Sequence, residues 1–190
     1  MSASFDVNFA GAICRFQEFG GSSFCDSWQW KLDPYRCERK DSPDLIIRNS
    51  NHWEGAPEIL RKVSEVQDGF FLRQVFKLAD QRTLWRYMRK KTGELLLSFR
   101  VSADWSEIVL LEDHTCSGGN MAFEYLCHLM PACSLPLDML TFHGALMEHE
   151  GEGIMISAPS GTGKTTHARL WRDQKQALIL NCDRAVWRKE

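Results

Sequence analysis

The chain has 190 residues, 44% of them hydrophobic, and its 23 lysines and arginines against 25 aspartates and glutamates give a formal charge of -2. This composition predicts a globular protein with a genuine core and excludes a global positive field that would capture nucleic acid or an anionic membrane. The seven cysteines form no CxxC pair and no apolar run approaches the ~20 residues that span a bilayer, so we expect a cytoplasmic protein with reduced thiols and no membrane partner.

Residues 1–112 are predicted to form a β-rich N-terminal region. Its strand-like segments are FDVNFAGAICRF, SWQWKL, DLIIR, GFFLRQVFKL, TLWRYMRK, ELLLSFRV and SEIVLLE. Turn signals separate these segments, which favours an antiparallel sheet. The last four follow one another at a spacing of about ten residues with short links, so we expect them to pair in sequence order as a meander.

Most of the tryptophans lie in this region, at positions 28, 30, 53, 85 and 105. We interpret them as core residues, or as a face that covers the second domain, and stacking on nucleic acid is the alternative. The basic, aromatic segment RYMRKK at 86–91 is interpreted as the solvated end of a hairpin rather than as an RNA site.

Residues 113–190 are predicted to form a second domain. Its first segment, NMAFEYLCHLMPAC, predicts a helix whose end is limited by Pro131. The segments LTFHGALMEHE and GIMISA predict two strands of a hairpin joined by GEG. A glycine-rich loop, a helix over 163–173 and the strand ALILNCD follow. Strand, glycine loop, helix and strand in this order open an α/β nucleotide-binding fold, so the predicted fold class is α/β (α+β overall) with a phosphate-loop core.

The glycine-rich loop carries the strongest functional signal, because it fits the phosphate-loop pattern with alanine in place of the first glycine. Gly161 and Gly163 let backbone N–H groups approach a polyphosphate, and Lys164 can place its ammonium on the β- and γ-phosphates. We expect ATP and Mg²⁺ as cofactors, with the Thr165 hydroxyl on the metal and the Thr166 hydroxyl near the α-phosphate. The predicted nucleotide contacts are Ala158, Pro159, Ser160, Gly161, Thr162, Gly163, Lys164, Thr165 and Thr166.

Asp183 follows the strand ALILNCD, where a phosphate-loop protein often keeps an acidic residue that holds the metal. Its approach to Thr165 would follow if this strand lies beside GIMIS in the sheet. The alternative is that Asp183 is only a turn former or a helix cap.

The segment FHGALMEHEGEGIMISAPSGTGKTTHARLW, followed by LILNCDRAVWR, resembles the HPr serine kinase/phosphorylase and phosphoenolpyruvate carboxykinase group, and most of all its uncharacterised bacterial HPr-kinase-like branch. The resemblance covers roughly residues 140–188. It implies that His143 lies near the transferring phosphate and that Asp183 binds the metal or activates the accepting hydroxyl. Cys182 stands where the kinase has the first of two acids. For His143, the alternative to a role near the phosphate is a hydrogen-bonded histidine on an inward face of its strand.

These features predict an ATP-dependent kinase that transfers the γ-phosphate of Mg·ATP to a protein or peptide hydroxyl, with Asp183, His143 and Lys164 as catalytic residues. A non-catalytic nucleotide-binding module that responds to ATP by capturing a partner is the second hypothesis. Carboxykinase chemistry on a small organic acid is the third, and residues 1–140 show no basic cluster to support it.

The sequence stops at Glu190, directly after the second predicted strand of the nucleotide core. A doubly wound sheet needs more strands to bury both faces, so we expect the core to be incomplete at its C-terminus. The uncovered sheet edge then predicts weaker binding of Mg·ATP than in a longer form, and self-association into homo-oligomers.

Overall fold

A computed structural model of the chain describes residues 4–17, 24–50, 57–69, 71–115 and 120–188. The chain divides into two compact units, Met1–Cys133 and Ser134–Glu190. The helix that the sequence predicts after residue 113 belongs to the first unit.

Nine strands of the first unit form one sheet in the described residues. They are β1 (Ser4–Phe9), β2 (Ala12–Gln17), β3 (Arg36–Cys37), β4 (Leu45–Asn49), β5 (Ile59–Asp68), β6 (Phe71–Leu78), β7 (Thr83–Arg89), β8 (Leu95–Val101) and β9 (Glu107–Asp113). Their order across the sheet is β3-β1-β2-β4-β9-β8-β7-β6-β5. Two helices, α1 (Phe24–Leu32) and α2 (Asn120–Ser134), belong to the same unit.

The meander predicted from four successive segments is confirmed, because β6, β7, β8 and β9 pair antiparallel in sequence order. The segment RYMRKK ends β7, and Lys90 and Lys91 are exposed in the turn that follows, as predicted for a solvated hairpin end. β8 is buried along nearly its whole length and lies beside β9, the central strand of the nine.

The prediction of a purely antiparallel sheet is wrong, because β4 pairs parallel with both β2 and β9. The alternating pattern of this segment is present: Leu45 and Ile47 are buried. Alternation states only that one face is buried and carries no information on the direction of the neighbouring strand.

The segment SWQWKL was predicted as a strand and lies in helix α1. Trp28 is fully buried against the Phe16 and Phe123 rings, and Leu32, one helical turn later, packs against the same core. Trp30 is 67% exposed, so the two tryptophans two residues apart do not share a face. The core interpretation is confirmed for Trp28, Trp85 and Trp105, and it is wrong for Trp30; Trp53 lies outside the described residues.

Helix α2 covers one face of the sheet with residues spaced three or four apart: Ala122, Tyr125, Leu126, Leu129 and Cys133 are buried. Pro131 lies inside this helix, so the prediction that it limits the helix end is wrong. A proline within a helix costs about 3 kcal/mol. The burial of Leu129 and Cys133 on either side of it offsets that cost.

The second unit contains β10 (Met139–His149), β11 (Glu152–Ser157), α3 (Lys164–Lys175), β12 (Leu178–Asn181) and β13 (Arg184–Arg188). The predicted hairpin is confirmed: β10 and β11 are antiparallel and are joined by Glu150 and Gly151, whose φ angles of 55° and 82° are typical of a type I′ turn. A small core of Ala145, Met147, Ala168 and Ala177 lies between β10 and α3.

The predicted fold class is wrong. The chain is strand-rich with a large mixed nine-stranded sheet, and the second unit is not an α/β phosphate-loop core. Its four strands pair only antiparallel among the described residues, because β10 lies between β11 and β12 and pairs with β13 as well. Strand β11, the glycine loop, helix α3 and strand β12 follow one another along the chain as predicted. In the sheet, however, β10 lies between β11 and β12.

Candidate functional site

The glycine loop, residues 158–163, connects the end of β11 to the start of α3. Gly161 and Gly163 have φ angles of 81° and 88°, which residues with a Cβ rarely adopt. A Cβ added to either would meet no atom within 4 Å, so these positions need glycine for their backbone conformation and not for space. Gly163 caps α3 without any side-chain hydrogen bond, so the first-turn N–H groups rely on other partners.

Lys164, the first residue of α3, is only 8% exposed. Its ammonium nitrogen donates to the carbonyl oxygens of Ala158 and Pro159 at 2.7 and 3.1 Å. Lysine is rarely buried unless it is paired, and here the two carbonyls satisfy it. The one ammonium that the sequence assigns to phosphate binding therefore lies at the start of the glycine loop.

The Pro159 carbonyl organises the loop, because it also accepts hydrogen bonds from the amide and the hydroxyl of Thr162, at 3.4 and 2.7 Å. Ser160 and Gly161 lie in the turn that these bonds close, and both are exposed. The loop is thus closed by its own donors, with Lys164 held against its first two residues.

Thr165 and Thr166 lie in the first turn of α3, where Thr165 is partly buried and Thr166 is exposed. The N-terminus of this helix carries a partial positive charge, and a helix of 12 residues is long enough to present it. The ammonium and the helix terminus favour an anion at the same place.

His143 on β10 and Asp183 between β12 and β13 form the second part of the site. His143 Nδ1 and Asp183 Oδ1 are 3.6 Å apart, and Arg184 Nε lies 3.7 Å from the other carboxylate oxygen. The His143 and Asp183 side chains are 54% and 71% exposed, so His143 is not the inward histidine that was the alternative. The contact is longer than a hydrogen bond and, in water, contributes little to stability.

Asp183 sits in an interruption of one long strand. β12 and β13 pair with the same side of β10, and residues 182–183 between them leave the ladder. The Asn181 side-chain oxygen accepts from the amides of Asp183 and Arg184 at 2.8 Å each, and the Gly144 amide donates to the Asp183 carbonyl at 3.0 Å. The backbone of Asp183 is therefore fixed to β10 while its carboxylate is exposed.

The same segment of β10 contacts the start of the glycine loop. Gly144 pairs with Ser157, the last residue of β11, and the Ser157 hydroxyl donates to the His143 carbonyl at 3.1 Å. Neighbouring strands lie about 4.8 Å apart, so the Asp183 and Ser157 backbones, one strand either side of β10, are about 10 Å apart. The condition that the strand of Asp183 lies beside GIMIS is not met, and β10 brings His143 to Asp183 instead.

Gly144 is the residue that sequence reasoning missed. A Cβ at this position would lie 2.9 Å from the Ile156 carbonyl oxygen, closer than real Cβ atoms come to such an atom. The pair of histidine and glycine in FHGAL is the available signal, since a glycine inside a strand often marks a close backbone approach. Asn181 was missed as well, although an asparagine two residues before an aspartate is typical of a turn.

The metal ligands predicted for the site are two oxygen groups. Within the described ranges, no group of three or more histidine, cysteine, aspartate or glutamate side chains could hold a metal ion. Cys182, partly buried, lies beside Asp183 in the strand interruption. The Thr165 hydroxyl and the Asp183 carboxylate are the predicted ligands, and both belong to the hard oxygen class that Mg²⁺ prefers.

No protein-family model matches the chain, and no curated protein matches it either. The resemblance to the HPr kinase group therefore rests on the residues quoted above. None of the described helices is long and apolar enough to cross a membrane.

Proposed function

We propose that this chain binds Mg·ATP at the glycine loop and transfers its γ-phosphate to a protein or peptide hydroxyl, as in HPr-kinase-like proteins. The observation that carries the proposal is the loop geometry: two glycines with positive φ, a buried lysine ammonium and an uncapped helix N-terminus converge on residues 158–165. Each of these features favours a polyphosphate for a separate physical reason.

Binding would use the loop amides and Lys164. The ammonium exchanges its two carbonyl partners for phosphate oxygens, which are stronger acceptors because they carry charge. Thr165 would hold Mg²⁺ directly and Asp183, on the far side of β10 from the loop, through one of the metal's waters, and the ion would neutralise charge on the phosphates. Since Mg²⁺ keeps several waters and takes one or two protein oxygens in such sites, two ligands suffice.

The transfer step needs a group that accepts the proton of the attacking hydroxyl. His143 and Asp183 are exposed and adjacent, so either is accessible to a substrate hydroxyl. If Asp183 holds the metal, its basicity falls, and the proton goes to His143 instead. Lys164 then stabilises the charge that develops on the γ-phosphate in the transition state.

A non-catalytic ATP-binding module is the second candidate. One observation favours it: Cys182 occupies the position of one acid in the resemblance to the kinase group. This candidate shares the glycine loop with the kinase and lacks only the transfer step.

The binding test compares Lys164→Ala with Lys175→Ala, an exposed lysine in the last turn of the same helix. By titration calorimetry with Mg·ATP, Lys164→Ala should weaken binding at least about tenfold, since a charge-assisted contact is lost, whereas Lys175→Ala should bind like the unmodified chain. Thermal melts of both variants establish that they are folded. Equal affinities for the two variants, or no binding by the unmodified chain, would overturn the proposal.

The transfer test uses γ-labelled ATP and a library of serine- and threonine-containing peptides. Label transfer that is lost in Asp183→Asn and in His143→Ala supports the kinase. Tight binding of Mg·ATP without transfer to any peptide supports the binding module.

A further inference from the structure

The first unit contains a cavity of about 370 Å³ that is separate from the glycine loop. It lies at the end of the sheet that β5, β6 and β7 form. Tyr125 and His128 of α2 line it from the side of the helix. The volume is within the range of small-molecule sites, which is about 300–1,000 Å³.

Three aromatic rings form its apolar walls. Tyr125 on α2 lies 5.1 Å from the Phe71 ring at an interplanar angle of 90°, and 4.2 Å from the Tyr87 ring at 42°. All three residues are packed in or against the main core, so their rings are held in place by their neighbours. A flat apolar group of a ligand would find fixed ring surfaces here.

Arg73 and Tyr87 supply the polar part of the cavity. They face each other across β6 and β7, and the Arg73 Nε atom and the Tyr87 hydroxyl are both buried and make no hydrogen bond of regular geometry in the described part of the chain. The Arg73 guanidinium carbon lies 5.6 Å from the centre of the Trp85 ring, which restricts its position. Buried donors of this kind are rare in proteins and call for a partner.

Both groups are donors at neutral pH. Burial raises the pKa of Tyr87 to about 12, and the charge of Arg73 together with a hydrogen-bonding contact to its guanidinium opposes this shift without cancelling it, so the phenol keeps its proton. A ligand that satisfies both groups must therefore bring acceptor atoms. A carboxylate does this best, because its two oxygens match the planar guanidinium.

We propose that this cavity binds a small aromatic carboxylate, with its ring against the surfaces of Phe71, Tyr87 and Tyr125 that line the cavity and the carboxylate on Arg73 and the Tyr87 hydroxyl. His128 and Gln67 complete the polar rim, and Val66 the apolar wall. This site is independent of the proposed kinase activity, because no residue of the glycine loop takes part in it.

The test uses 3-phenylpropionate as the probe, with its uncharged amide and with acetate as comparison ligands, and follows binding to the full chain by NMR. The carboxylate should bind in the micromolar to millimolar range expected for a ligand of this size. The amide and acetate should each bind at least about tenfold more weakly, since one lacks the charge and the other the ring.

Two variants and one control locate the site. Arg73→Gln should weaken binding of 3-phenylpropionate about tenfold or more, Tyr87→Phe severalfold, and Arg61→Gln, an exposed arginine on β5, should leave it unchanged. Tyr87→Phe keeps the ring and provides a second variant if Arg73→Gln fails to fold. Failure of the carboxylate to bind, equal binding of carboxylate and amide, or equal effects of the Tyr87 and Arg61 variants would overturn the proposal.

Discussion

Replacement of Gly144 by alanine tests the close strand approach on which the candidate site depends. The added Cβ would lie 2.9 Å from the Ile156 carbonyl oxygen and 3.4 Å from Met155 Cγ. The carbonyl belongs to the backbone of β11, and β10 is held on its other side by the bond from the Gly144 amide to Asp183. Neither strand can move away without losing pairing, so the strain must appear as lost stability.

Gly153, on β11 of the same hairpin, provides the matched control. A Cβ there meets no atom within 4 Å, and its φ is not in the left-handed region. Both substitutions restrict the unfolded chain equally, which stabilises by about 0.4–1 kcal/mol. Overpacking of the kind expected at Gly144 costs about 1–3 kcal/mol. The difference between the two variants therefore isolates the clash.

Urea unfolding followed by circular dichroism gives this difference as a shift in midpoint at constant slope. We expect Gly144→Ala to be about 1–3 kcal/mol less stable than Gly153→Ala, and its Tm to be lower by about 2–12 °C for a chain of this size. If Gly144→Ala proves as stable as Gly153→Ala, the described approach of β10 and β11 is incorrect, and with it the placement of His143.

Two further predictions concern the first unit. Asp6 and Arg15 form a buried bidentate pair at 2.8 and 2.9 Å, so Asp6→Asn, which leaves a buried guanidinium, should reduce the free energy of unfolding by about 3–5 kcal/mol. The hydrogen bond from Arg15 lowers the pKa of Asp6, so the stabilisation by this pair is complete above about pH 4 and disappears as the pH falls through the lowered folded pKa. The urea midpoint of Asp6→Asn should therefore change less over this pH range than that of the unmodified chain. Identical dependence of the two midpoints on pH would contradict the assignment. Burial raises the pKa of Cys14 and Cys133 from 9.0 to about 12, which lowers their thiolate fraction at pH 8 roughly a thousandfold. Iodoacetamide should therefore label the partly exposed Cys37, Cys127 and Cys182 before Cys14 and Cys133, as followed by peptide mass spectrometry, and equally rapid labelling of Cys14 would refute this.

The parts of the fold that the sequence predicts correctly are those with local signals. The hairpin of β10 and β11 has glycine at the turn, and the meander from β6 to β9 has short links between alternating segments. In both cases neighbours in sequence are neighbours in space. The loop and helix start at Lys164 are predicted for the same reason, since one short segment contains the whole motif.

Pairing between distant segments could not be predicted in this way. β4 carries a correct strand pattern, yet its parallel partners are set by where the chain returns. For β5 the sequence predicts no strand, because the alternation is broken where Leu60 and Val63 have no partner in β6. Bulges of this kind are frequent on edge strands and remove the period of two.

The same difference between local signals and distant pairing applies to the residues of the candidate site. The positions of Lys164 and the two glycines in the loop before α3 are predicted from the sequence, whereas the relation of Asp183 to His143 depends on the insertion of β10 between β11 and β12. This insertion also explains why the predicted α/β core is wrong, because a strand between the two others makes every pairing antiparallel.

The five-residue strand β4 joins two groups of strands that are otherwise built from contacts close in sequence. On one side lie β3 and the hairpin of β1 and β2, and on the other the antiparallel strands β5 to β9. Its partners β2 and β9 come from distant parts of the chain, and pairings of such long sequence separation favour slow folding. One buried core, which includes Phe16, Trp28 and Phe99, joins the same two groups, so the cooperativity of the nine-stranded sheet depends on the pairing of β4 and on this core together.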